Sequence, residues 1–148
     1  MKILLAIDDS KYSQAALETL LTQTRSSDTE VHVLHVIEPV PIYVDGQAWS
    51  SIPAQGVVLQ EQRKEGEELV QRAAEKLRGA GFKVTTTVEE GIPKVVITDT
   101  AAERGVDLIV LGSHGRKGMD RFLMGSVAEA VVRHAPCSVQ VARFSRQR

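Results

Sequence analysis

Apolar residues recur along this chain in two alternating rhythms, and the alternation predicts the architecture. Lys2 to Ile7 is a short Leu- and Ile-rich run, read as a first strand. Behind it, Ser10 is placed to cap a helix whose inward stripe is Ala16, Leu17, Leu20, Leu21 and Thr24. Glu30 to Ile37 is a second strand, with Val31, Val33, Val36 and Ile37 apolar. Val58 to Arg78 predicts a helix with Gly66, Leu69, Val70, Ala73 and Leu77 on one face, stopped by Gly79 and Gly81. Phe82 to Glu89 alternates as a half-buried strand. Pro93 opens a third helix, with Val96, Ile97, Thr100 and Ala101 inward and Gly105 as its stop. Val106 to Leu111 is a fourth, buried strand, Val127 to His134 a fourth helix, and Ser138 to Ala142 a fifth strand. Such alternation predicts an α/β fold, an open five-stranded parallel sheet with helices on both faces. Glu38 to Gly56, with three prolines, two glycines and the only tryptophan, Trp49, reads as a long connection.

Ligands of such sheets bind beyond the carboxyl ends of the strands, where the strand order reverses. With the order 3-2-1-4-5, strands one and four flank that crevice. Ala6-Ile7-Asp8, Leu111-Gly112 and Val36 would then face one pocket.

The segment joining strand four to helix four carries the most chemistry. Gly112-Ser113-His114-Gly115-Arg116 leads, across nine residues that separate Gly115 from Gly125, into Gly125-Ser126-Val127. Glycines between a strand and a helix let the backbone approach a ligand and turn free N–H groups toward an anion. The spacing is neither that of a P-loop nor that of a dinucleotide-binding turn. Ser126 and Glu129 also have the spacing of a capping box, so Ser126 admits a purely structural role beside ligand contact. Asp8 likewise admits two roles, an Asx turn or a contact to ribose or metal–phosphate. Arg116, Lys117 and Arg121 add positive charge to the loop, as solvated residues or as part of an anion site. His114 has no visible carboxylate or nucleophile partner, and no activated-nucleophile motif occurs, so no catalytic residue is assigned. His32, His35 and His134 lack transition-metal spacing, and no metal ligand is assigned.

Composition narrows the partners. At 148 residues the chain predicts one domain, 1–148, and its formal net charge of −1 offers no basic field for nucleic acid. The single cysteine, Cys137, excludes an internal disulfide framework and reads as a small core residue. No apolar run approaches the roughly 20 residues of a membrane span, which leads to the expectation of a cytoplasmic protein without membrane contact.

With these residues in view, the chain resembles the universal stress proteins. The resemblance rests on Ala6-Ile-Asp8-Asp-Ser10, His35-Val36, Gly91-Ile-Pro93, Asp107-Leu-Ile-Val-Leu-Gly112 and the Gly112-x2-Gly115-x9-Gly125-Ser126 loop, the last being the pattern of the family's ATP-binding branch. It implies a Rossmann-like, adenine nucleotide alpha hydrolase-like sheet. Ala6, Asp8 and Val36 would then line the adenosine side, Val36 beside the adenine, with Gly112 near the ribose. Gly115, Arg116, Gly125, Ser126 and Val127 would hold the phosphates, and Ile7, Leu111, Ser113 and His114 complete the expected cofactor-binding set. Where some ATP-binding members carry proline in strand one, this chain has Ala6. The implied function is an ATP-binding, stress-response homodimer that pairs through Val139 to Ala142, with Mg beside the phosphates and a regulatory protein as partner. Two alternatives stand beside it: a slow ATPase or phosphate-transferring enzyme using His114 or Asp8, and an interaction protein that binds AMP, cyclic AMP or no nucleotide.

Overall fold

The central strand, β1 (Lys2–Ala6), buries Ile3, Leu4, Leu5 and Ala6 in succession, as a strand covered on both faces must. A computed structural model describes residues 1–39, 43–44, 46–48, 52–115 and 124–144. Trp49, Arg116, Lys117 and Arg121 lie outside the described residues. The remaining elements are α1 (Lys11–Gln23), β2 (Glu30–Ile37), β3 (Tyr43–Val44), β4 (Gln47–Ala48), α2 (Ile52–Gly79), β5 (Lys83–Glu90), α3 (Pro93–Arg104), β6 (Leu108–Gly112), α4 (Ser126–His134) and β7 (Ser138–Ala142).

The main sheet is parallel throughout, in the order β5-β2-β1-β6-β7, which is 3-2-1-4-5 when only its own strands are counted. β1 lies against both β2 and β6, with Ala6 opposite Leu34 on one side and Leu111 on the other. The strand order therefore reverses between β1 and β6, as the alternation predicts. β3 and β4 form a separate antiparallel ribbon inside the expected connection.

Alternate side chains of the sheet build two cores. Ile3, Leu5, Ile7, Val31, Val33 and Val110 meet α1 through Ala16 and Leu20 and α2 through Val70, Ala73 and Leu77. Leu4, Ala6, Leu34, Ile109 and Leu111 meet α3 through Ile97 and Ala101 and α4 through Ala128 and Val131. Each fully buried Leu or Ile contributes about 1.5–3 kcal/mol of transfer free energy.

Several element ends depart from the sequence reading. α2 starts at Ile52 rather than Val58, and Gly79 is its last residue; the turn that follows is made by Gly81 at φ +95°. Thr24 is the C-cap of α1, its N–H donating to Leu20 O, and not part of the inward stripe. β6 starts two residues later than expected and ends one residue later, at Gly112. Gly105 does close α3, in the left-handed conformation (φ 60°), donating to Ala101 and Ala102 carbonyls.

The outer strands differ. β5 exposes Lys83, Thr85, Glu89 and Glu90, whereas β7 leaves Val139, Gln140 and Val141 half-buried.

Candidate functional site

At the end of β1 the chain leaves the sheet through a knot of short polar side chains. Ile7 N–H still follows the ladder to Leu34 O (2.9 Å). Asp8 N–H then donates to Ser13 Oγ (2.8 Å), and the Ser13 hydroxyl donates back to Asp8 Oδ1 (2.9 Å). Ser10 N–H also donates to Asp8 Oδ1 (2.9 Å), which is an Asx turn, and Ser10 Oγ caps α1 by accepting from Ser13 N–H (3.2 Å). The other oxygen, Oδ2, faces the glycine loop: a Cβ built on Gly115 would lie 3.0 Å from it.

The loop leaves β6 in a crowded setting. A Cβ on Gly112 would come within 2.7 Å of the Tyr12 carbonyl carbon, carbonyl oxygen and Cβ, so its bareness serves the close approach of α1. Ser113 is buried; its N–H donates to Ala142 O (2.8 Å), and its carbonyl accepts from Gly125 N–H (2.6 Å). That bond brings the loop's two ends together. A Cβ on Gly125 would sit 3.2 Å from both Ser113 O and His114 Cα. Ser113 Oγ lies 3.0 Å from His114 Nδ1, and the His114 ring stacks obliquely on Tyr12 at 4.9 Å between centroids. Lys11 Nζ stands 5.2 Å from the Tyr12 ring centroid and 5.0 Å from that of Phe144, which ties the end of the described chain to α1.

The start of α4 corrects the capping-box reading. Gly125 is the N-cap and Ser126 is already the first helical residue, which moves Glu129 out of the third position that a capping box requires. Glu129 pairs instead with Arg133 one turn on (2.9 Å). Gly125 has no side chain with which to accept from the first turn. The Glu129 carboxylate is thereby directed along the helix and not back over its positive end.

Ala6 and Leu111 belong to one apolar cluster, the one that also contains Ala128 of α4, and Val36 packs against it. These three expected residues thus share the sheet face on which α4 begins. Ile7 does not: its side chain joins the opposite core, so only its backbone is available to the crevice. Sequence reasoning passed over Ser13 and Tyr12. The Asp8-x-Ser10-x-x-Ser13 spacing carries a signal for the first, since serines in an opening helical turn reach back to a preceding aspartate. Tyr12 has none, because its role depends on a glycine a hundred residues away.

One strongly perturbed group lies in the sheet. His32 bonds through Nδ1 to Thr85 Oγ1 (2.7 Å) and through Nε2 to Thr87 Oγ1. Burial, with a smaller push from the Arg104 charge, takes its pKa down to about 4, so it is a neutral core imidazole at neutral pH. Burial, then the Asp107 charge, raises the half-buried Cys137 thiol. Among the described residues no group of three or more His, Cys, Asp or Glu side chains is arranged to hold a metal ion. No helix among them is long and apolar enough to cross a membrane. The arrangement offers backbone amides and a helix N-terminus beside an apolar wall, which is chemistry for binding an anion attached to a flat apolar group.

The universal stress protein family model matches residues 1–143. The chain belongs to the universal stress protein family. Among curated members it is 30% identical over 145 residues to universal stress protein MJ0531 of Methanocaldococcus jannaschii, covering 96% of this chain and 81% of that one. It is 35% identical over 144 residues to a putative universal stress protein of Staphylococcus haemolyticus, covering 95% and 83%. Of solved structures, hypothetical protein MJ0577 superposes with a TM-score of 0.85 at 28% identity, covering 99% of this chain and 97% of the other. Two more distant members share the fold: an Arabidopsis thaliana protein with AMP bound (TM-score 0.69, 21% identity, 98% and 92% covered) and a universal stress protein in complex with cAMP (TM-score 0.67, 18% identity, 98% of each covered).

Proposed function

We propose that this universal stress protein is a nucleotide-dependent regulatory protein of the family's ATP-binding branch, with ATP and Mg in the crevice between β1 and β6. The observation that carries the proposal is the closing of the loop by Gly125 N–H on Ser113 O, which sets Gly125 against His114, the residue before Gly115, at the uncapped start of α4. Two bare backbones and the positive end of a helix there stand next to the cluster of Ala6, Val36 and Leu111. In this reading Ala6, Val36 and Leu111 face the adenosine, and Ile7 contributes its backbone. Asp8 reaches the ribose or the metal, and Gly112 backs the sugar. Ser113, His114, Gly115, Arg116, Gly125, Ser126 and Val127 surround the phosphates. Magnesium would be held largely by phosphate oxygens and water, which suits a site without a protein cage of carboxylates.

The AMP and cAMP bound by the two distant fold relatives favour a second reading, in which the same crevice takes a shorter adenylate. The slow ATPase reading rests on His114 and Asp8. The work proposed for the bound nucleotide is to set the conformation offered to a regulatory protein partner. The half-buried Val139 and Val141 on the β7 edge support pairing with a second copy there.

Mass spectrometry of small molecules released by denaturing freshly purified protein, followed by calorimetric titration with Mg-ATP, tests the proposal. Released ATP and saturable binding are the expected results. AMP or cAMP alone favours the second reading, and no release with no heat at millimolar ATP overturns nucleotide binding. Turnover lost on His114→Ala would install the enzyme reading instead.

A further inference from the structure

The end of β1 is fixed by a side chain from the neighbouring strand. Ile7 N–H pairs with Leu34 O in the ladder, but the Ile7 carbonyl accepts from His35 Nδ1 at 2.8 Å. A carbonyl can only accept, so Nδ1 carries the proton. The bond falls one residue before Asp8, whose N–H and carboxylate organise the turn into α1. It therefore sets the plane of the peptide that delivers Asp8 toward Gly115.

The same imidazole is seated from the other side by α2. A Cβ on Gly66 would meet His35 Cδ2 at 2.8 Å and Val88 Cγ1 at 3.2 Å, so the helix lies directly on the ring. Arg63, one turn earlier, donates to Val88 O (3.2 Å) and pairs with Glu90 (2.7 Å), which anchors that part of α2 to the end of β5.

We infer that His35 is a positioning residue, the joint through which the seat of α2 on the sheet fixes the Asp8 turn and hence the crevice. The inference rests on the nucleotide reading above only for its consequence in binding. The geometry it concerns exists without a ligand. A displacement of α2 at Gly66 moves the imidazole, which releases or re-aims the Ile7 carbonyl and loosens Asp8. Such a contact gives the site a physical link to a helix whose outward positions are exposed.

Three substitutions in the full chain test this. His35→Leu keeps the bulk and removes the donor. His35→Asn keeps an N–H donor at the same bond distance from Cβ as Nδ1. Gly66→Ala pushes on the ring from α2 while improving helix propensity. In nucleotide-free protein, amide hydrogen exchange is expected to accelerate about tenfold at Asp8, Ser10 and Ser13 in His35→Leu, the cost of one lost half-buried hydrogen bond. It should remain unchanged at Leu5 and Val33, and His35→Asn should restore the protection. Gly66→Ala should accelerate the same three amides despite a stiffer helix. Ring 15N spectra of the unsubstituted protein should show the proton on Nδ1. Mg-ATP affinity should fall about tenfold in His35→Leu and recover in His35→Asn.

Unchanged exchange at Asp8 in His35→Leu, or a ring protonated on Nε2 alone, overturns the inference. If His35→Leu does not fold, protection at Asp8 in His35→Asn equal to that in Gly66→Ala overturns it. Failure of the unsubstituted protein to bind ATP overturns the nucleotide reading and leaves the exchange result to decide the role of His35.

Discussion

Tyr12 occupies the space that any side chain at Gly112 would need, with three of its atoms 2.7 Å from where a Cβ would stand. Two of the three are backbone, so the strain cannot be relieved by turning a rotamer. Gly112→Ala is expected to destabilise the fold by about 1–3 kcal/mol, the usual cost of overpacking a close contact. Urea denaturation measures it, and a change within a few tenths of a kcal/mol would show that α1 yields freely.

At Gly115 the neighbour is softer, the end of the Asp8 side chain at 3.0 Å. Gly115→Val should fold with a native far-UV dichroism spectrum yet lose Mg-ATP binding, because the branched side chain fills the approach to the loop backbone. Retained affinity in that folded variant removes Gly115 from the site.

Ser13 is buried and bonded to Asp8 in both directions. Ser13→Ala leaves Asp8 N–H without its acceptor and should cost about 1–3 kcal/mol, with weaker nucleotide binding as the turn loosens. Chemical denaturation and calorimetry on the same preparation check both. Full stability with weakened binding would mean that water takes over the structural bond.

His32 makes stability depend on pH. Its folded pKa of about 4 lies below the unlinked value of 6.5, so across that interval the unfolded chain binds a proton that the folded chain does not. The contribution is fully present above pH 6.5 and is lost as the pH falls through this window, amounting to about 3 kcal/mol by pH 4. Urea midpoints measured from pH 7 to about 4 should therefore fall less steeply in His32→Gln, which offers the two threonines a donor and an acceptor but does not titrate. Parallel curves for the two proteins would show that carboxylates alone govern the acid limb.

Cys137 is held as a thiol by burial and by the Asp107 charge. Its alkylation at pH 8 should be slower than that of free cysteine, and the rate should still climb at pH values where the free thiol has levelled off. A plateau at the free-thiol pH counts against this.

The sheet was legible from sequence because its signal is carried residue by residue. Ile3 to Ala6 and Ile109 to Leu111 are continuous apolar runs, as strands buried on both faces must be, and Pro93 and Gly105 mark α3 by backbone chemistry alone. What stayed hidden depends on contacts between distant positions. Gly112 read as an approach to ligand and is also pressed against Tyr12, and Ser126 and Glu129 have the spacing of a capping box although the helix begins one residue earlier than that motif requires. His35 could not be told apart from His32 and His134 in sequence. The Ile7 carbonyl and Gly66 distinguish it only once β1, β2 and α2 are in place.

The unlike outer strands have a consequence for assembly. Lysine and glutamates at the two ends of β5 make that margin a poor template for a further ladder, while valines soften the margin at β7. A molecule with one receptive side and one guarded side can join a copy of itself across a twofold axis, and the joined pair then shows only guarded sides. In the proposed pairing through β7, growth would stop at two, and the sheet would not propagate into a filament.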